Sequence, residues 1–317
     1  MSLARTVVLK AAGLRPVESL VRKSFLFRPL VSRFVAGDEL AEAIAASERI
    51  LESGQRVTLD LLGENTHSVA EAEAAVATYI RMLESIDASA AVQSWRRSPK
   101  GREPLNISIK LTQCGLDLGD EVAEANYRRV VARAAELDNF VRIDMEASAY
   151  TGRTIEIVAR VHEEFPNTGT VLQSYLYRTD EDVEFVIERG IRTRLVKGAY
   201  LEPDEVAEPQ KAKVDAAYVR QAKRLLEAGH YPAIATQDES IIRELNQFVT
   251  ERGIDRSTFE YQFLYGIRRE LQQELTRDGY NVRVYVPFGD SWYPYFTRRL
   301  AERPANAFFI AKSLFQK

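Results

Sequence analysis

A strand-like run near the C-terminus, Val282-Arg-Val-Tyr-Val-Pro-Phe288, is followed at once by the segment Asp290-Ser-Trp-Tyr-Pro-Tyr-Phe-Thr-Arg-Arg-Leu-Ala-Glu-Arg-Pro304. The run is rich in β-branched and aromatic residues, which are typical of strands. If the second segment is a helix, four of its residues share one face at the spacing i, i+3, i+4 and i+7: Tyr295, Arg298, Arg299 and Glu302. We therefore expect a strand that delivers a helix to one end of a sheet.

Seven earlier runs of the same kind alternate with charge-rich segments of helical character. They are 57–62, 106–111, 140–144, 170–175, 193–197, 233–236 and 259–264. Strand–helix alternation without a Pro/Gly-rich linker indicates parallel βα units in one α/β domain, and eight units predict a TIM-type (β/α)₈ barrel. An open doubly wound sheet is the alternative, although no Gly-x-Gly-x-x-Gly follows a strand to support a Rossmann-type site.

The composition excludes several classes of function. The 317 residues are 45% hydrophobic, which suffices for one barrel-sized core, and the net charge of −3 gives no reason to expect nucleic acid binding. A single cysteine, Cys114, excludes an internal disulfide and a cysteine-based metal cluster. The three histidines, His67, His162 and His230, lack metal-ligand spacing, so we expect no metal.

The first 34 residues form a basic stretch in which Glu18 is the single acid. No apolar run there approaches the roughly 20 residues of a membrane span, and no signal-peptide pattern is present. We expect residues 1–54 to be a helical segment that packs on a barrel formed by residues 55–317. Attachment of this segment to a membrane surface is the alternative.

Polar residues cluster at the carboxyl ends of the expected strands, where the active sites of (β/α)₈ barrels are built. In chain order they are Asp60, Glu64, Lys110, Gln113, Asp144, Glu146, Gln173, Tyr175, Arg194, Lys197, Tyr200, Thr236, Gln237, Asp238, Glu260, Gln262 and Tyr285. Each alone could be a paired structural residue. Charged residues from many strands at one barrel mouth favour a site, because an unpaired buried charge is costly.

The residue types indicate a small amino or imino acid as ligand. Lys110, Arg298 and Arg299 supply positive charge for a carboxylate, and Tyr200 and Tyr285 supply flat walls with a hydroxyl tip. A solvated helix face is the alternative for the arginine pair. Since the chain shows no Ser-His-Asp, Cys-His or Walker pattern, the chemistry would come from a cofactor or a Schiff-base lysine.

Several motifs together closely resemble the proline dehydrogenase family. They are Arg194-Leu-Val-Lys-Gly-Ala-Tyr200, Leu172-Gln-Ser-Tyr-Leu-Tyr-Arg178, Ile143-Asp-Met-Glu146, Ser108-Ile-Lys-Leu-Thr112, Gln262-Phe-Leu-Tyr-Gly266 and the Arg298-Arg299 helix. They occur in family order over roughly residues 55 to 310. The resemblance implies a distorted barrel of the bacterial monofunctional form, with noncovalent FAD across the strand ends and a final helix over the barrel mouth.

The resemblance also implies a role for individual residues. Arg194 would lie near flavin N5, and Asp144 would orient the polar network; we class these two as catalytic. The cofactor would be bound by Met145, Gln173, Arg194, Val196, Lys197, Gly198, Ala199, Thr236 and Gln237. The family usually has a histidine where this chain has Gln237, which puts the adenosine-side contact in doubt. L-Proline would be bound by Lys110, Tyr200, Tyr285, Arg298, Arg299 and Glu302.

The implied reaction moves a hydride from proline C5 to flavin N5 and gives Δ¹-pyrroline-5-carboxylate. A membrane quinone would reoxidise the flavin, and a separate pyrroline-5-carboxylate dehydrogenase would use the product. We therefore expect a cytoplasmic protein, with peripheral contact to the inner face of the membrane as a further expectation. An ion pair between Glu64 and Arg298 would act as a gate. Two other interpretations stay open: a lyase with Lys197 as Schiff base, and a non-catalytic barrel.

Overall fold

The computed structural model describes residues 18, 21–22, 27–63, 65–98 and 103–302, without the side chains of residues 300–302. Eight parallel strands form a closed barrel in chain order, because β1 pairs with both β2 and β8. The strands are β1 (Arg56–Leu61), β2 (Leu105–Ile109), β3 (Val141–Ile143), β4 (Thr168–Gln173), β5 (Arg192–Val196), β6 (Ala233–Ala235), β7 (Glu260–Leu264) and β8 (Asn281–Phe288). The predicted (β/α)₈ barrel is confirmed.

Helices surround the barrel and follow the strands in turn. Those in the described part of the chain are α1 (Arg28–Val31), α2 (Leu40–Glu52), α3 (Val69–Ala88), α4 (Ala90–Arg96), α5 (Asp120–Glu136), α6 (Ser148–Glu164), α7 (Thr179–Glu188), α8 (Lys211–Ala228), α9 (Glu239–Arg252), α10 (Arg269–Arg277) and α11 (Tyr293–Glu302). A short 3₁₀ turn, Arg256–Thr258, precedes β7. None of these helices is both long and apolar enough to cross a bilayer.

Alternation within each strand separates an apolar shell from a polar barrel interior. In β1, Val57 and Leu59 belong to the large apolar core that the helices complete. Thr58, between them, lies 3.4 Å from the Ser108 hydroxyl of β2, inside the barrel. Side chains alternate across a strand, so one residue in two is directed at the barrel axis. The interior positions are where this sequence carries its buried charges.

The segment after α1 ties the N-terminal part of the described chain to the last helix. Phe34 and Val35 form a small apolar cluster with Phe296 of α11, and the Phe34 and Phe296 rings lie 6.4 Å apart. Gly266 approaches the Arg33 carbonyl so closely that a Cβ there would clash, and its φ of +74° also favours glycine. Most of residues 1–26, the larger part of the basic stretch 1–34, lies outside the described residues.

Candidate active site

A cavity of about 1330 Å³ opens at the carboxyl ends of the strands, beneath α11. Its size exceeds the roughly 300–1,000 Å³ of a typical small-ligand pocket, so it has room for a cofactor together with a substrate. The cavity brings together nineteen of the residues predicted from sequence: Asp60, Lys110, Asp144, Met145, Gln173, Tyr175, Arg194, Val196, Lys197, Gly198, Ala199, Tyr200, Thr236, Gln237, Asp238, Gln262, Tyr285, Arg298 and Arg299.

Arg194 is the centre of the polar floor of the cavity. Its Nη1 donates to Oδ1 of Asp144 over 2.6 Å, Nε donates to Oε1 of Gln262 over 2.5 Å, and Nη2 donates to the Ser108 hydroxyl over 3.0 Å. These contacts use three of the five N–H groups of a guanidinium. Within the described part of the chain, the other two N–H groups have no partner and remain available to a ligand.

Tyr285 and Asp144 form the second part of the floor. The Tyr285 hydroxyl donates to Oδ2 of Asp144 over 2.8 Å, so both oxygens of that carboxylate are engaged. Burial and the adjacent Asp144 raise the pKa of Tyr285 well above its ordinary value. The hydroxyl therefore stays a proton donor across the physiological range, and the Asp144 carboxylate holds it in one orientation.

Lys110 brings a buried positive charge to the floor. Its Nζ donates to Oδ1 of Asp60 over 2.6 Å, and both side chains are almost fully buried. Burial alone would lower the pKa of Lys110, but the Asp60 and Asp144 carboxylates raise it above its ordinary value. Lys110 is therefore a permanent cation that retains N–H capacity for a second acceptor.

The last helix supplies two further cations from above. Arg298 and Arg299 are both half-buried and line the cavity. The Arg298 guanidinium lies 5.9 Å from the centre of the Tyr200 ring, on the loop after β5. Lys110 at the floor and the two arginines of α11 thus line the same cavity. Glu64 and the side chain of Glu302, predicted as a gate residue and a substrate contact, lie outside the described residues.

The outer part of the cavity is built by the loops after β5 and β6. Lys197 contacts Asp215 over 2.5 Å and Asp238 over 3.2 Å. Gly198, at φ +117°, packs against the Tyr175 ring so closely that a Cβ would clash. Glycine at this position is therefore explained by its φ and by packing against Tyr175.

The outer part also contains an unsatisfied polar atom. Oε1 of Gln237 is buried and has no hydrogen-bond partner among the described residues. A buried acceptor of this kind requires a donor, which a bound ligand can supply. A cofactor with hydroxyl or amino donors would satisfy this atom.

Three strand-end residues predicted from sequence do not line the cavity. Gln113 accepts a hydrogen bond from the Tyr79 hydroxyl, and Glu146 accepts from the backbone and hydroxyl of Thr112, so both hold the turn after β2. Glu260 lies deeper in the barrel, bound to Arg283. For these three residues the structure favours the alternative of a paired structural residue.

Asp215 is a cavity residue that the sequence did not point to. It lies in α8, 18 positions after its partner Lys197, and not at a strand end. Its pKa is lowered because hydrogen bonds from Lys197 and Lys211 outweigh the opposing effect of burial. A charged residue in a charged helix carries no sequence signal of this role.

Comparison with known proteins gives a consistent result. The sequence profile of the family described as proline dehydrogenase matches residues 43–312. The chain is 41% identical to proline dehydrogenase 1 of Bacillus subtilis (strain 168) over 287 residues, which cover 90% of each chain. It is 40% identical to the proline dehydrogenase of Deinococcus radiodurans over 317 residues, which cover 98% of each chain.

A solved structure shares the fold. It is proline utilization A (PutA) from Bdellovibrio bacteriovorus inactivated by N-propargylglycine, with a TM-score of 0.81 and 24% sequence identity. The likeness covers 99% of this chain and 38% of that longer chain. At this identity the comparison concerns the barrel alone.

Proposed function

Because the chain belongs to the proline dehydrogenase family, we propose that it oxidises L-proline to Δ¹-pyrroline-5-carboxylate with a noncovalently bound FAD and passes the electrons to a membrane quinone. The observation that carries this proposal is the meeting of Lys110, Arg298 and Arg299 in one cavity with Arg194 and the Asp144–Tyr285 pair. Three cations around one space match a carboxylate, which accepts several charge-assisted hydrogen bonds at once.

Each of these residues has a defined task toward the substrate. Lys110 from the floor and the two arginines from α11 bind the proline carboxylate. Tyr200 and Tyr285, which line the cavity, would form walls for the ring, and Asp144 accepts the hydrogen bond of the Tyr285 hydroxyl. The substrate amine must lose its proton before C5 can give up a hydride, since the nitrogen lone pair forms the new C=N bond. Binding among fixed cations favours the neutral amine.

Other residues of the same cavity would hold FAD. Arg194, with its two remaining N–H groups, would face the flavin ring, and Gln173 and Met145 are its neighbours on the floor. The backbone from Val196 to Ala199 would run along the cofactor, with Thr236 and Gln237 at its outer end. Gln237 retains a buried acceptor for a cofactor donor, so replacement of the family histidine need not abolish this contact. Bound FAD would supply the hydride acceptor.

Lys197 is better explained as part of the loop that would hold FAD than as a Schiff-base lysine. It is ion-paired with both Asp215 and Asp238, and the Lys197–Asp238 contact joins the loop after β5 to the N-cap of α9. The family assignment removes the support for the lyase and for the non-catalytic barrel.

Three parts of the proposal concern the surroundings of the enzyme. The basic N-terminal stretch gives a reason for peripheral contact with the inner membrane face, where a quinone acceptor resides. A separate pyrroline-5-carboxylate dehydrogenase would take the product. Closure of the site by Glu64 and Arg298 would exclude water during the reaction.

The decisive experiment uses the purified protein as it is isolated. We expect a flavin absorption band that is released by denaturation and bleached anaerobically by L-proline but not by D-proline. A protein that purifies without flavin, and gains no proline oxidation when FAD is added, would refute the proposal. A flavin that is bleached equally by unrelated amino acids would refute the assignment of L-proline as the substrate.

A further inference from the structure

A chain of hydrogen bonds runs through the barrel interior from the active-site floor toward the opposite end. Arg194 donates from Nε to Oε1 of Gln262 over 2.5 Å. Gln262 donates from Nε2 to Oε1 of Glu260, also over 2.5 Å. Glu260 accepts from Nε of Arg283 at 2.9 Å and 3.1 Å. Arg194 and Gln262 line the cavity, whereas Glu260 and Arg283 lie below it.

The orientation of the Gln262 amide follows from its two partners. Arg194 can only donate at Nε, and the Glu260 carboxylate can only accept. The observed orientation satisfies both. A half-turn of the amide would set N–H against N–H at Arg194 and oxygen against oxygen at Glu260, so two hydrogen bonds would become two repulsions. Gln262 is 2% exposed, so water cannot stand in for either partner.

Glu260 is a fixed reference point for this orientation. It is fully buried and also lies 3.3 Å from the Tyr231 hydroxyl. Burial would raise its pKa, but the charge and hydrogen bonds of Arg283, with the charges of Arg56 and Arg192, lower the pKa to about 2. Glu260 is therefore an acceptor at every working pH.

We propose that Glu260 and Gln262 are positioning residues for Arg194: Glu260 orients the amide, and the amide oxygen fixes the guanidinium plane in the cavity. Asp144 and Ser108 hold the two terminal nitrogens, and Gln262 holds Nε. Three contacts define a plane, whereas two allow rotation about the line that joins them. The inference rests on the proposed function, because the plane matters if Arg194 faces the cofactor.

The first test replaces Gln262 with methionine, which keeps the length of the side chain and removes both hydrogen bonds. We expect the limiting rate of flavin reduction by L-proline to fall about tenfold, the size of one lost hydrogen bond to a charged group. The half-saturating proline concentration should change less than about threefold, because Lys110, Arg298 and Arg299 are untouched. A loss confined to proline saturation would overturn the proposal.

Gln221→Met is the matched control. Gln221 is 3% exposed, and its Nε2 donates to Asp180 between α8 and α7, outside the barrel interior. We expect Gln221→Met to lower the thermal unfolding midpoint. Its flavin should be reduced by L-proline at the same rate as in the unaltered protein. If it slows reduction as much as Gln262→Met, the effect of Gln262 is general destabilisation and the proposal fails.

A conservative variant, Gln262→Glu, tests the donor and acceptor logic directly. Two carboxyl groups in contact cannot both ionise easily, so the new side chain should share a proton with Glu260. While protonated, it donates an O–H to Glu260 and offers a carbonyl oxygen to Arg194, as the amide does. The other charged or titratable groups around this pair are Arg56 of β1, Arg142 of β3, Asp144 directly after β3, Arg192 and Arg194 of β5, Tyr231 before β6 and Arg283 of β8.

We expect Gln262→Glu at pH 6 to reduce flavin at least threefold faster than Gln262→Met, and to lose this advantage as the pH rises. A rate at pH 6 no faster than that of Gln262→Met would overturn the proposal.

Thermal unfolding gives a readout that does not depend on proline oxidation. A shared proton raises the pKa of the folded pair, so its stabilising effect is present at low pH and is lost as the pH rises through that value. The unfolding midpoint of Gln262→Glu should exceed that of Gln262→Met at low pH and approach it at high pH. If proline fails to bleach the unaltered protein, the proposed function fails, while this comparison still decides whether the amide is oriented as proposed.

Discussion

The Tyr285 hydroxyl donates to Oδ2 of Asp144 over 2.8 Å, while Oδ1 of the same carboxylate accepts from Arg194 over 2.6 Å. One carboxylate therefore sets the orientation of two side chains that come from β5 and β8. This links the residue proposed to face the cofactor with a residue proposed to contact the substrate ring.

Asp144→Asn should separate this linkage from simple packing, because it keeps the shape and removes the charge. We expect kcat/KM for proline to fall about tenfold to about a hundredfold, as for loss of charge-assisted hydrogen bonds, with flavin content retained. Tyr285→Phe should cost less. The double variant should be little worse than Asp144→Asn, because the hydroxyl acts through that carboxylate. Fully additive losses would contradict this.

The pH profile gives a second check on Tyr285. Because burial and Asp144 raise its pKa well above the ordinary value, the hydroxyl does not titrate near neutral pH. Tyr285→Phe should therefore leave the shape of the kcat/KM profile between about pH 6 and about pH 9 unchanged. A limb that disappears in this variant would show that Tyr285 itself ionises there.

Arg194→Met should act on the flavin itself. A positive charge beside the ring favours the electron-rich reduced form, so its removal should lower the flavin reduction potential and slow reduction by proline. The measurement is the potential by dye equilibration together with the stopped-flow reduction rate. An unchanged potential and an unchanged rate would remove Arg194 from the site.

The proposed gate is tested by a double-mutant cycle on Glu64 and Arg298. Gly63 lines the cavity mouth and Arg298 lies above Tyr200, while Glu64 itself is outside the described residues. If the two charges pair when proline is bound, the losses of Glu64→Ala and Arg298→Ala should not add in kcat/KM. Additive losses would show that Glu64 is a solvated carboxylate of the kind worth less than about 1 kcal/mol.

The sequence predicted the fold and the ligand types for reasons that the structure makes plain. Runs such as 282–288 are long and β-rich, and eight of them alternating with helices leave few topologies. Residues two positions apart on a strand share a face, so Lys110 and Arg194 could be placed at the mouth from the strand pattern alone. Cations at a strand end and on the last helix then pointed to a small anion.

Side-chain contacts between strands could not be predicted from the sequence in the same way. Glu260 and Gln262 share a face of β7, but one contacts Arg283 below and the other Arg194 above. Which of them faces the cavity depends on how far each strand extends, and a sequence pattern fixes strand ends only within a few residues. Asp215 shows the same limit for helices, since its partner Lys197 is reached through the fold.

The last prediction concerns the three cations proposed to bind the proline carboxylate, Lys110, Arg298 and Arg299. Arg298 and Arg299 line the cavity from α11, opposite Lys110, and loss of either should remove one charged anchor of the substrate. We expect Arg298→Met and Arg299→Met each to weaken proline binding by on the order of 2 to 4 kcal/mol, or about 30-fold to about 1000-fold in the apparent KM, with flavin content intact. Arg277→Met is the control, because Arg277 is exposed at the end of α10 and does not line the cavity. Steady-state kinetics with L-proline, beside the flavin-to-protein absorbance ratio, separates substrate binding from cofactor loss. If both variants saturate with proline as the unaltered protein does, the two arginines form a solvated helix face and Lys110 must anchor the carboxylate without them.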